Sequence, residues 1–239
     1  MRIAIVSDIH GNRTAFEAVL ADLRETAPDL ILHGGDLADS GSSPAEIVDR
    51  IRDLGWAGVA GNTDEMLYRP EALTEFAAQS PKLLPMWAAI GEMAEATREL
   101  LGEERLAWLR ALPGSRIEEP VALVHAGSGS LWRAPAADAG DGELLAEYAR
   151  LGQTMAVYGH IHRPYVRRMA GLTVANSGSV GLPYDGDRRA AYLLLDEQGP
   201  EIRRVEYNVE REIRALGASG LPHADWVGRM IEKASPRMP

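Results

Sequence analysis

The segment Ile3-Ala4-Ile5-Val6-Ser7-Asp8-Ile9-His10-Gly11-Asn12 decides the fold, because it leads from a buried strand directly into polar side chains. Its first four residues are all apolar, which is typical of a strand that is covered on both faces of a sheet. A carboxylate and an imidazole, Asp8 and His10, follow that strand at once. In open α/β sheets, ligands bind beyond the carboxyl ends of the strands. The segment therefore predicts an α/β fold with binding residues at strand ends.

Strands and helices alternate after this segment, which indicates a parallel sheet. Apolar residues recur at helical spacing after Asn12, and they predict a helix that Asn12 caps and that ends before Pro28. Residues 30–32 and residues 56–60 are apolar runs that predict a second and a third strand. This β-α-β-α-β order predicts parallel strands that are joined by right-handed crossovers.

The helix between the second and third strands has a start signal of its own. Ser43-Pro44-Ala45-Glu46 has the pattern of a capping box, with proline at the first helical position. The apolar spacing that follows predicts that this helix buries Ile47, Ile51 and Leu54.

The rest of the chain changes character twice. Residues 64–112 have mostly helical patterns broken by prolines, and we interpret them as a helical insertion over one end of the sheet. Strand patterns then dominate, with one helix near residues 143–151 and further helices at the C-terminus. Because no repeat and no long linker divides the chain, residues 1–239 are expected to form a single domain. The expected later strands are residues 121–124, 154–158, 165–169, 172–175, 191–195 and 202–207.

Side chains that commonly bind metals follow five of the predicted strands. A lone Gly-Asp or Gly-Asn is more often a turn, and Gly159-His160-Ile161-His162 alone would also suit a solvated loop. Seven such residues at five strand ends are hard to explain as turns. They are Asp8, His10, Asp36, Asn62, His125, His160 and His162.

The chemistry of these seven side chains predicts a metal centre. The chain has no cysteine, which excludes zinc–thiolate sites, iron–sulfur clusters, disulfides and thiol nucleophiles. Seven oxygen and nitrogen ligands exceed what one tetrahedral zinc needs, and the mixture suits Mn²⁺, Fe or Zn²⁺ at higher coordination. Two ions about 3.5–4 Å apart, bridged by one carboxylate and one hydroxide, would use every ligand, and the hydroxide would attack a phosphoryl group.

Charge and hydropathy exclude several classes of partner. The net charge of −10 argues against non-specific attraction to nucleic acid or to anionic membranes. The N-terminus reaches Asp8 too soon for a signal peptide, and no apolar run approaches the roughly 20 residues of a membrane span. We therefore expect a soluble, cytoplasmic protein with no membrane partner and no non-specific nucleic-acid binding. The chemistry of the metal centre makes a small phosphoester substrate the expected partner, and the oligomeric state stays open.

The ordered motifs resemble the five signature blocks of the calcineurin-like metallophosphoesterases. Residues 176–183 resemble a later block of a bacterial branch that is usually called predicted phosphodiesterases, so the resemblance spans roughly residues 1–196. It implies a four-layer α-β-β-α sandwich, which some schemes class as α+β. It also implies two divalent ions, with Mn²⁺ favoured and Fe, Zn²⁺ or Ni²⁺ as alternatives. The five blocks are Asp8-x-His10, Gly35-Asp36, Gly61-Asn62, His125 and Gly159-His160-x-His162.

The resemblance also divides the ligands between the two ions. Asp36 would bridge the ions. Asp36 and Asn62 are expected to be catalytic residues as well as ligands. One ion would lie at Asp8, His10, Asp36 and His162, and the other at Asp36, Asn62, His125 and His160.

Thr63 is an important departure from the family pattern. Many members have a histidine at this position, which is the candidate general acid at the leaving group. Threonine has no proton with a pKa near neutrality, so the usual acid is missing. Asp64 loses the partner it would orient, and it is expected to cap the next helix.

Three further residues are candidates for contact with a substrate. His33 either points into the cleft as a substitute proton donor or packs at the strand end. Arg133, which follows Trp132 in a loop, and Arg163 either bind a phosphate or are simply solvated.

The resemblance leaves three functions to be weighed. The first is a dinuclear metal-dependent phosphoesterase that favours phosphodiesters or activated monoesters. The second is a phosphatase that acts on phosphoprotein or dinucleoside polyphosphates, and the missing histidine at Thr63 argues against it. The third is a binding scaffold without catalysis, which ranks last because a scaffold would be expected to lose ligands.

Overall fold

Ten strands form two five-stranded sheets in the computed structural model, which describes every residue from Met1 to Pro239. The first sheet has the strand order β10-β9-β1-β2-β3, and the second has the order β4-β5-β6-β8-β7. The strands are β1 (Ile3–Val6), β2 (Leu30–His33), β3 (Ala57–Gly58), β4 (Ser115–Glu118), β5 (Val121–Val124), β6 (Met155–Tyr158), β7 (Tyr165–Met169), β8 (Leu172–Asn176), β9 (Ala190–Asp196) and β10 (Gly199–Val205).

Eight helices flank the sheets. None of them combines the length and the apolar composition that a bilayer crossing requires. The helices are α1 (Arg13–Thr26), α2 (Pro44–Leu54), α3 (Asn62–Tyr68), α4 (Glu71–Ala77), α5 (Leu84–Arg110), α6 (Asp141–Tyr148), α7 (Val209–Ala218) and α8 (Ala224–Lys233).

The first sheet is parallel where the sequence predicts it and mixed overall. β1, β2 and β3 are parallel neighbours, while β9 pairs with β1 in the antiparallel sense. The third strand is shorter than the predicted residues 56–60, because the backbone N–H of Ala60 donates to the carbonyl of Pro113 and leaves the ladder.

The second sheet contains a strand that the sequence patterns do not predict. β4 pairs in the antiparallel sense with β5 at the edge of the sheet. Its residues alternate between exposed and half-buried, and three of the four are polar or charged. An edge strand with so little apolar content has no clear hydrophobic period.

Three apolar interfaces separate four layers of structure in the order α-β-β-α. This arrangement confirms the expected fold class. Residues of both sheets, among them Ile5 and Val157, pack together between the sheets. The outer face of the first sheet packs against α1, α2 and α5, with Phe16 and Ile51 in this cluster. The outer face of the second sheet packs against α6. The parallel units β1-α1-β2-α2-β3 give the α/β character, and the antiparallel strands of both sheets explain why some schemes class this fold as α+β.

The cap predicted at the start of α1 is present, whereas the cap predicted at the start of α2 is not. The side chain of Asn12 accepts from the backbone N–H of Ala15, as predicted for a cap. Ser43 precedes α2, but its side chain makes no capping bond, and Glu46 pairs with Arg13 instead of closing a capping box. The predicted capping box is therefore wrong, although the predicted helix is present.

One predicted core residue of α2 is exposed. Leu54 has 39% of its surface accessible, whereas Ile47 and Ile51 are buried as predicted. Leu54 is the last residue of the helix, and Gly55 turns the chain away with a left-handed backbone. The apolar spacing in the sequence therefore includes Leu54, although only Ile47 and Ile51 pack against the core.

Residues 62–110 are mostly helical, in agreement with the expectation for this stretch. α5 is interrupted at Gly102, where φ is 67° and ψ is 170°. α5 packs against α2 and α3, which places the helical stretch beside the first sheet. That this stretch is an insertion within a single domain remains a prediction.

Candidate metal centre

Four of the seven candidate ligands converge from three strand ends into one buried group, the first cluster. One ligand atom of each side chain lies within 4.8 Å of the others. All four side chains are buried, with between 0% and 5% of each residue exposed. The first cluster consists of Asp8, His10, Asp36 and His162.

The other three candidate ligands, Asn62, His125 and His160, form a second cluster beside Asp36. The amide oxygen Oδ1 of Asn62 lies 3.0 Å from Nε2 of His125 and 2.8 Å from Nδ1 of His160. Nε2 of His125 is also 3.4 Å from Oδ1 of Asp36. His125 is buried, whereas Asn62 and His160 are half-buried. The structure thus brings all seven predicted side chains together.

Backbone carbonyls fix the tautomer of three of the four histidines. A carbonyl oxygen can only accept, so each facing Nδ1 carries a proton, and Nε2 keeps its lone pair in the neutral imidazole. The same arrangement orients histidines in known metal sites. The pairs are His10 with Asp39 at 3.1 Å, His125 with Gly34 at 2.8 Å, and His162 with Leu182 at 2.6 Å.

The atoms that face one another in the first cluster are therefore all acceptors. Nε2 of His162 lies 3.1 Å from Nε2 of His10 and 3.1 Å from Oδ1 of Asp8. Nε2 of His10 lies 3.7 Å from Oδ2 of Asp36. Acceptors at these distances repel one another unless a cation lies among them, so this set fits a divalent metal ion.

The carboxylate of Asp36 faces both clusters. Its Oδ2 is the oxygen nearest His10, and its Oδ1 is the oxygen nearest His125. Oδ1 also accepts from the backbone N–H of Thr63 at 2.9 Å. One carboxylate thus presents a different oxygen to each group of imidazoles.

Five of the seven candidate ligands have a left-handed backbone, with φ between 49° and 64°. This conformation costs an L-residue roughly 1–2 kcal/mol, and such strain is usually found where function requires it. Aspartate and histidine adopt this conformation more often than most L-residues, but five such residues at one site still require surrounding contacts that hold them. The five residues are Asp8, His10, Asp36, His160 and His162.

Asp8 joins the first strand to the loop of the paired histidines. Its carboxylate accepts from the hydroxyl of Ser7 at 2.5 Å and from the backbone N–H of His160 at 3.0 Å. Gly159 makes this approach possible, because a Cβ there would collide with the Asp8 carboxylate. Gly61 has the same role beside the carboxylate of Asp36.

Asp64 holds the loop that carries Asp36. Its carboxylate accepts from the backbone N–H groups of Asp36, Leu37 and Gly61 at 2.8, 3.0 and 2.9 Å. Burial, together with the nearby charge of Asp36, raises the pKa of Asp64 to about 6. Asp64 therefore closes the start of α3, as predicted, and it also orients the shared carboxylate.

Burial keeps two of the imidazoles neutral, which is the state that binds metals. Burial, followed by the neighbouring His162, lowers the pKa of His10. Burial and the nearby His125 lower the pKa of His160 to about 4. For Asp8, burial raises the pKa, but the surrounding imidazoles, His162 first, outweigh burial and lower it below its usual range. Asp8 is therefore ionised and His10 and His160 are neutral near pH 7.

The structure does not place His33 where a proton donor would act. His33 is fully buried against Trp108 at a ring distance of 6.1 Å, and neither ring nitrogen has a hydrogen-bond partner. Burial, with a smaller contribution from Arg116, lowers its pKa to about 3. A histidine with this pKa holds no proton to donate near neutrality, so the packing alternative fits His33 and the acid role does not.

The two candidate arginines do not contact either cluster. Arg133 is exposed, with its guanidinium 6.0 Å from the ring centre of Phe76 and in contact with Gln79. Arg163 is exposed and forms no ion pair. Trp132 donates its indole N–H to Glu65 at 2.6 Å, one helical turn beyond Asn62. A role for either arginine with a substrate stays a prediction.

The segment from Asn176 to Tyr184 supports the site in ways that sequence reasoning missed. Asn176 donates to the carbonyl of Gly159 at 2.5 Å, and Ser179 donates to the carbonyl of Asp8 at 2.7 Å. Tyr184 stacks on the ring of His162. The motif at residues 176–183 is visible in the sequence, but its contacts depend on the path of the chain between the two sheets.

The chain is similar to known proteins in sequence and in fold. The sequence profile of the Calcineurin-like phosphoesterase superfamily domain matches residues 1–199. An uncharacterized protein of Methanocaldococcus jannaschii is 30% identical over 253 aligned residues, which cover 96% of each chain. The crystal structure of a metallophosphoesterase from Sphaerobacter thermophilus is 25% identical, with a TM-score of 0.81, and covers 98% of this chain and 100% of that one. A probable cyclic nucleotide phosphodiesterase of Synechococcus is 40% identical over 68 residues, 27% of this chain and 25% of that protein.

Proposed function

The chain belongs to the calcineurin-like phosphoesterase superfamily, and we propose that it hydrolyses phosphoesters at a centre of two divalent metal ions. The observation that carries this proposal is the carboxylate of Asp36, which presents Oδ2 to His10 and Oδ1 to His125. A carboxylate that faces two groups of metal-binding side chains is the arrangement expected of a bridging ligand.

We assign the ligands to two ions as the family resemblance implies. Asp8, His10 and His162 would hold one ion together with Asp36, and Asn62, His125 and His160 would hold the other. When bound, the ions supply the nucleophilic hydroxide and neutralise charge on the phosphoryl oxygens. Since all ligands are oxygen or imidazole nitrogen, the site fits Mn²⁺, Fe, Zn²⁺ and Ni²⁺. We propose Mn²⁺ first because the family resemblance favours it.

The chain's own residues orient this centre before a substrate arrives. The three carbonyls of Asp39, Gly34 and Leu182 hold the imidazoles with Nε2 directed inward. Asp64 holds the loop of Asp36 with three backbone hydrogen bonds. Electrostatic groups that are fixed in this way need no reorganisation during the reaction.

Thr63 determines which esters we expect to be good substrates. Its hydroxyl is buried and has no hydrogen-bond partner, and the neighbouring carboxylate of Asp64 is occupied by three backbone N–H groups. Neither side chain can deliver a proton to a leaving oxygen near neutral pH. The substrate class is therefore phosphodiesters or activated monoesters whose leaving group departs as an anion. The name of the partial relative from Synechococcus, a probable cyclic nucleotide phosphodiesterase, supports a diester.

The proposal is tested with purified full-length protein and added Mn²⁺. Bis-p-nitrophenyl phosphate should be hydrolysed, p-nitrophenyl phosphate more slowly, and phosphoserine peptides least of all. Asp36→Asn, prepared in parallel, is the control for a contaminating phosphatase. A protein that binds Mn²⁺ but hydrolyses no member of the panel would favour the scaffold alternative, and a preference for phosphopeptides or dinucleoside polyphosphates would favour the phosphatase alternative.

A further inference from the structure

His162 is the only candidate ligand that carries an aromatic ring of another residue type on its imidazole. The rings of Tyr184 and His162 are stacked, with their centres 4.5 Å apart and an angle of 25° between the planes. The backbone N–H of Tyr184 also donates to the carbonyl of His162 at 3.1 Å. In the second cluster, the only aromatic ring against either imidazole is that of the other histidine, with His125 and His160 edge to face at 5.2 Å.

Two contacts in different directions fix the plane of the His162 ring. The carbonyl of Leu182 accepts from Nδ1 at 2.6 Å and sets the position of the ring edge. Tyr184, two residues further along the chain, covers the ring face. Rotation of the imidazole would break one contact or the other, so Nε2 stays directed at Asp8, 3.1 Å away.

The C-terminal helix α8 holds Tyr184 in place from behind. The hydroxyl of Tyr184 lies 3.8 Å from the sulfur of Met230. Tyr184, Leu182 and Met230 pack in one apolar cluster with Met93 of α5. α8 lies beyond residue 199, where the match to the superfamily profile ends. The contact therefore links a part of the chain outside the matched region to one half of the site.

We propose that Tyr184 is a positioning residue that fixes the imidazole of His162 and thereby sets metal affinity at the first cluster selectively. The inference rests on the proposed function in one respect, namely that both clusters bind metal. Residues that orient a metal-binding histidine typically change metal affinity by about 10- to 100-fold when they are replaced. We expect a loss of about tenfold at the first cluster and no change at the second.

The experiment measures Mn²⁺ binding to metal-free full-length protein by calorimetry, with Co²⁺ absorption as a second probe of each position. His10→Ala and His125→Ala first establish which binding step belongs to which cluster. Tyr184→Leu should then weaken the step that His10→Ala weakens. Tyr184→Phe keeps the stacked ring, so its Mn²⁺ affinity at that step should equal that of the wild-type protein. Tyr68→Leu removes a half-buried tyrosine of α3 that lies under Arg110, and it should change thermal stability without changing either step.

A second variant keeps the inference testable if Tyr184→Leu does not fold. Met230→Ala leaves both rings in the chain and removes only the support behind Tyr184, so it should weaken the same step by a smaller factor. Equal weakening of both steps, or none, in variants that fold would overturn the inference while leaving the proposed function intact. Absence of metal binding in the wild-type protein would instead overturn the proposed function.

Discussion

The first cluster contains Asp36 and the second lies beside it, but the two clusters differ in charge and in burial. The first cluster combines two carboxylates, Asp8 and Asp36, with two imidazoles, and all of them are buried. The second cluster has the neutral amide of Asn62 where the first has Asp8, and two of its side chains are half-buried. More negative charge in a less solvated place binds a cation more tightly. If both clusters bind metal as proposed, we expect the first cluster to hold its ion more tightly and the second, more open cluster to face the substrate.

Asp36→Asn tests the link between the two clusters and should have the largest effect. An amide cannot offset the mutual repulsion of two cations, so both metal-binding steps should weaken and hydrolysis should fall. The loss of several kcal/mol of charge stabilisation corresponds to about 10³-fold or more in rate. The measurements are calorimetry with Mn²⁺ and the rate with bis-p-nitrophenyl phosphate. A variant with two tight ions and near-normal turnover would show that Asp36 does not bridge.

Single histidine substitutions test whether the clusters are separate. His10→Ala or His162→Ala should weaken the tighter binding step by about 10²-fold, since each removes a direct ligand from the more negative cluster. His125→Ala or His160→Ala should weaken the looser step by a similar factor. Titration with Mn²⁺ under identical conditions gives both values. If all four variants lose both ions to the same extent, the division of ligands is unsupported.

The Thr63→His substitution sharpens the comparison, because Thr63 follows the second-cluster residue Asn62 directly. In the wild-type protein the rate should fall steeply as the pKa of the leaving group rises, since no acid protonates the leaving oxygen. Thr63→His should recover about tenfold, part of the usual 10²–10⁴-fold effect of an acid, for alkyl esters. It should change p-nitrophenyl esters little. A wild-type rate that does not depend on the leaving group would mean that another residue donates the proton.

His33 provides a smaller contrast, because it is a histidine at a strand end that lies in neither cluster. The pKa of His33 is about 3 in the folded protein, against 6.5 for an unperturbed histidine. Below pH 6.5 the unfolded chain therefore binds more protons than the folded protein does, which favours unfolding. The resulting destabilisation is absent above that pH and grows at up to about 1.4 kcal/mol per pH unit toward pH 3. His33→Leu should therefore gain about 2 kcal/mol relative to wild type between about pH 7.5 and about pH 5.

Urea unfolding in the presence of a chelator measures this difference without contributions from bound metal. A stability difference between His33→Leu and wild type that stays constant over this pH range would show that His33 is not held neutral by burial.

The sequence was sufficient to predict that seven polar side chains lie close together, for a geometric reason. The carboxyl ends of neighbouring strands converge, so residues such as Asp8 and Asp36 must meet once the strands are assigned. The direction of His33 could not be predicted, because a residue at the last position of a strand can face either side. The edge strand β4 lacked a hydrophobic pattern and was missed.

Contacts made by backbone carbonyls and by the faces of aromatic rings also could not be predicted from sequence patterns. The carbonyl of Leu182 orients His162, yet every residue has a carbonyl, so no residue type signals this role. The stack of Tyr184 on His162 depends on how the chain returns from the second sheet to the first. Such contacts follow from tertiary structure rather than from any local spacing.

The number of Mn²⁺ ions bound per chain tests the two-cluster account most directly. Equilibrium dialysis of the purified protein, followed by elemental analysis, should give two ions per chain with clearly different affinities. Removal of both ions with a chelator should abolish the hydrolysis of bis-p-nitrophenyl phosphate, and added Mn²⁺ should restore it. One ion or none, in a protein that remains active after chelation, would contradict the account.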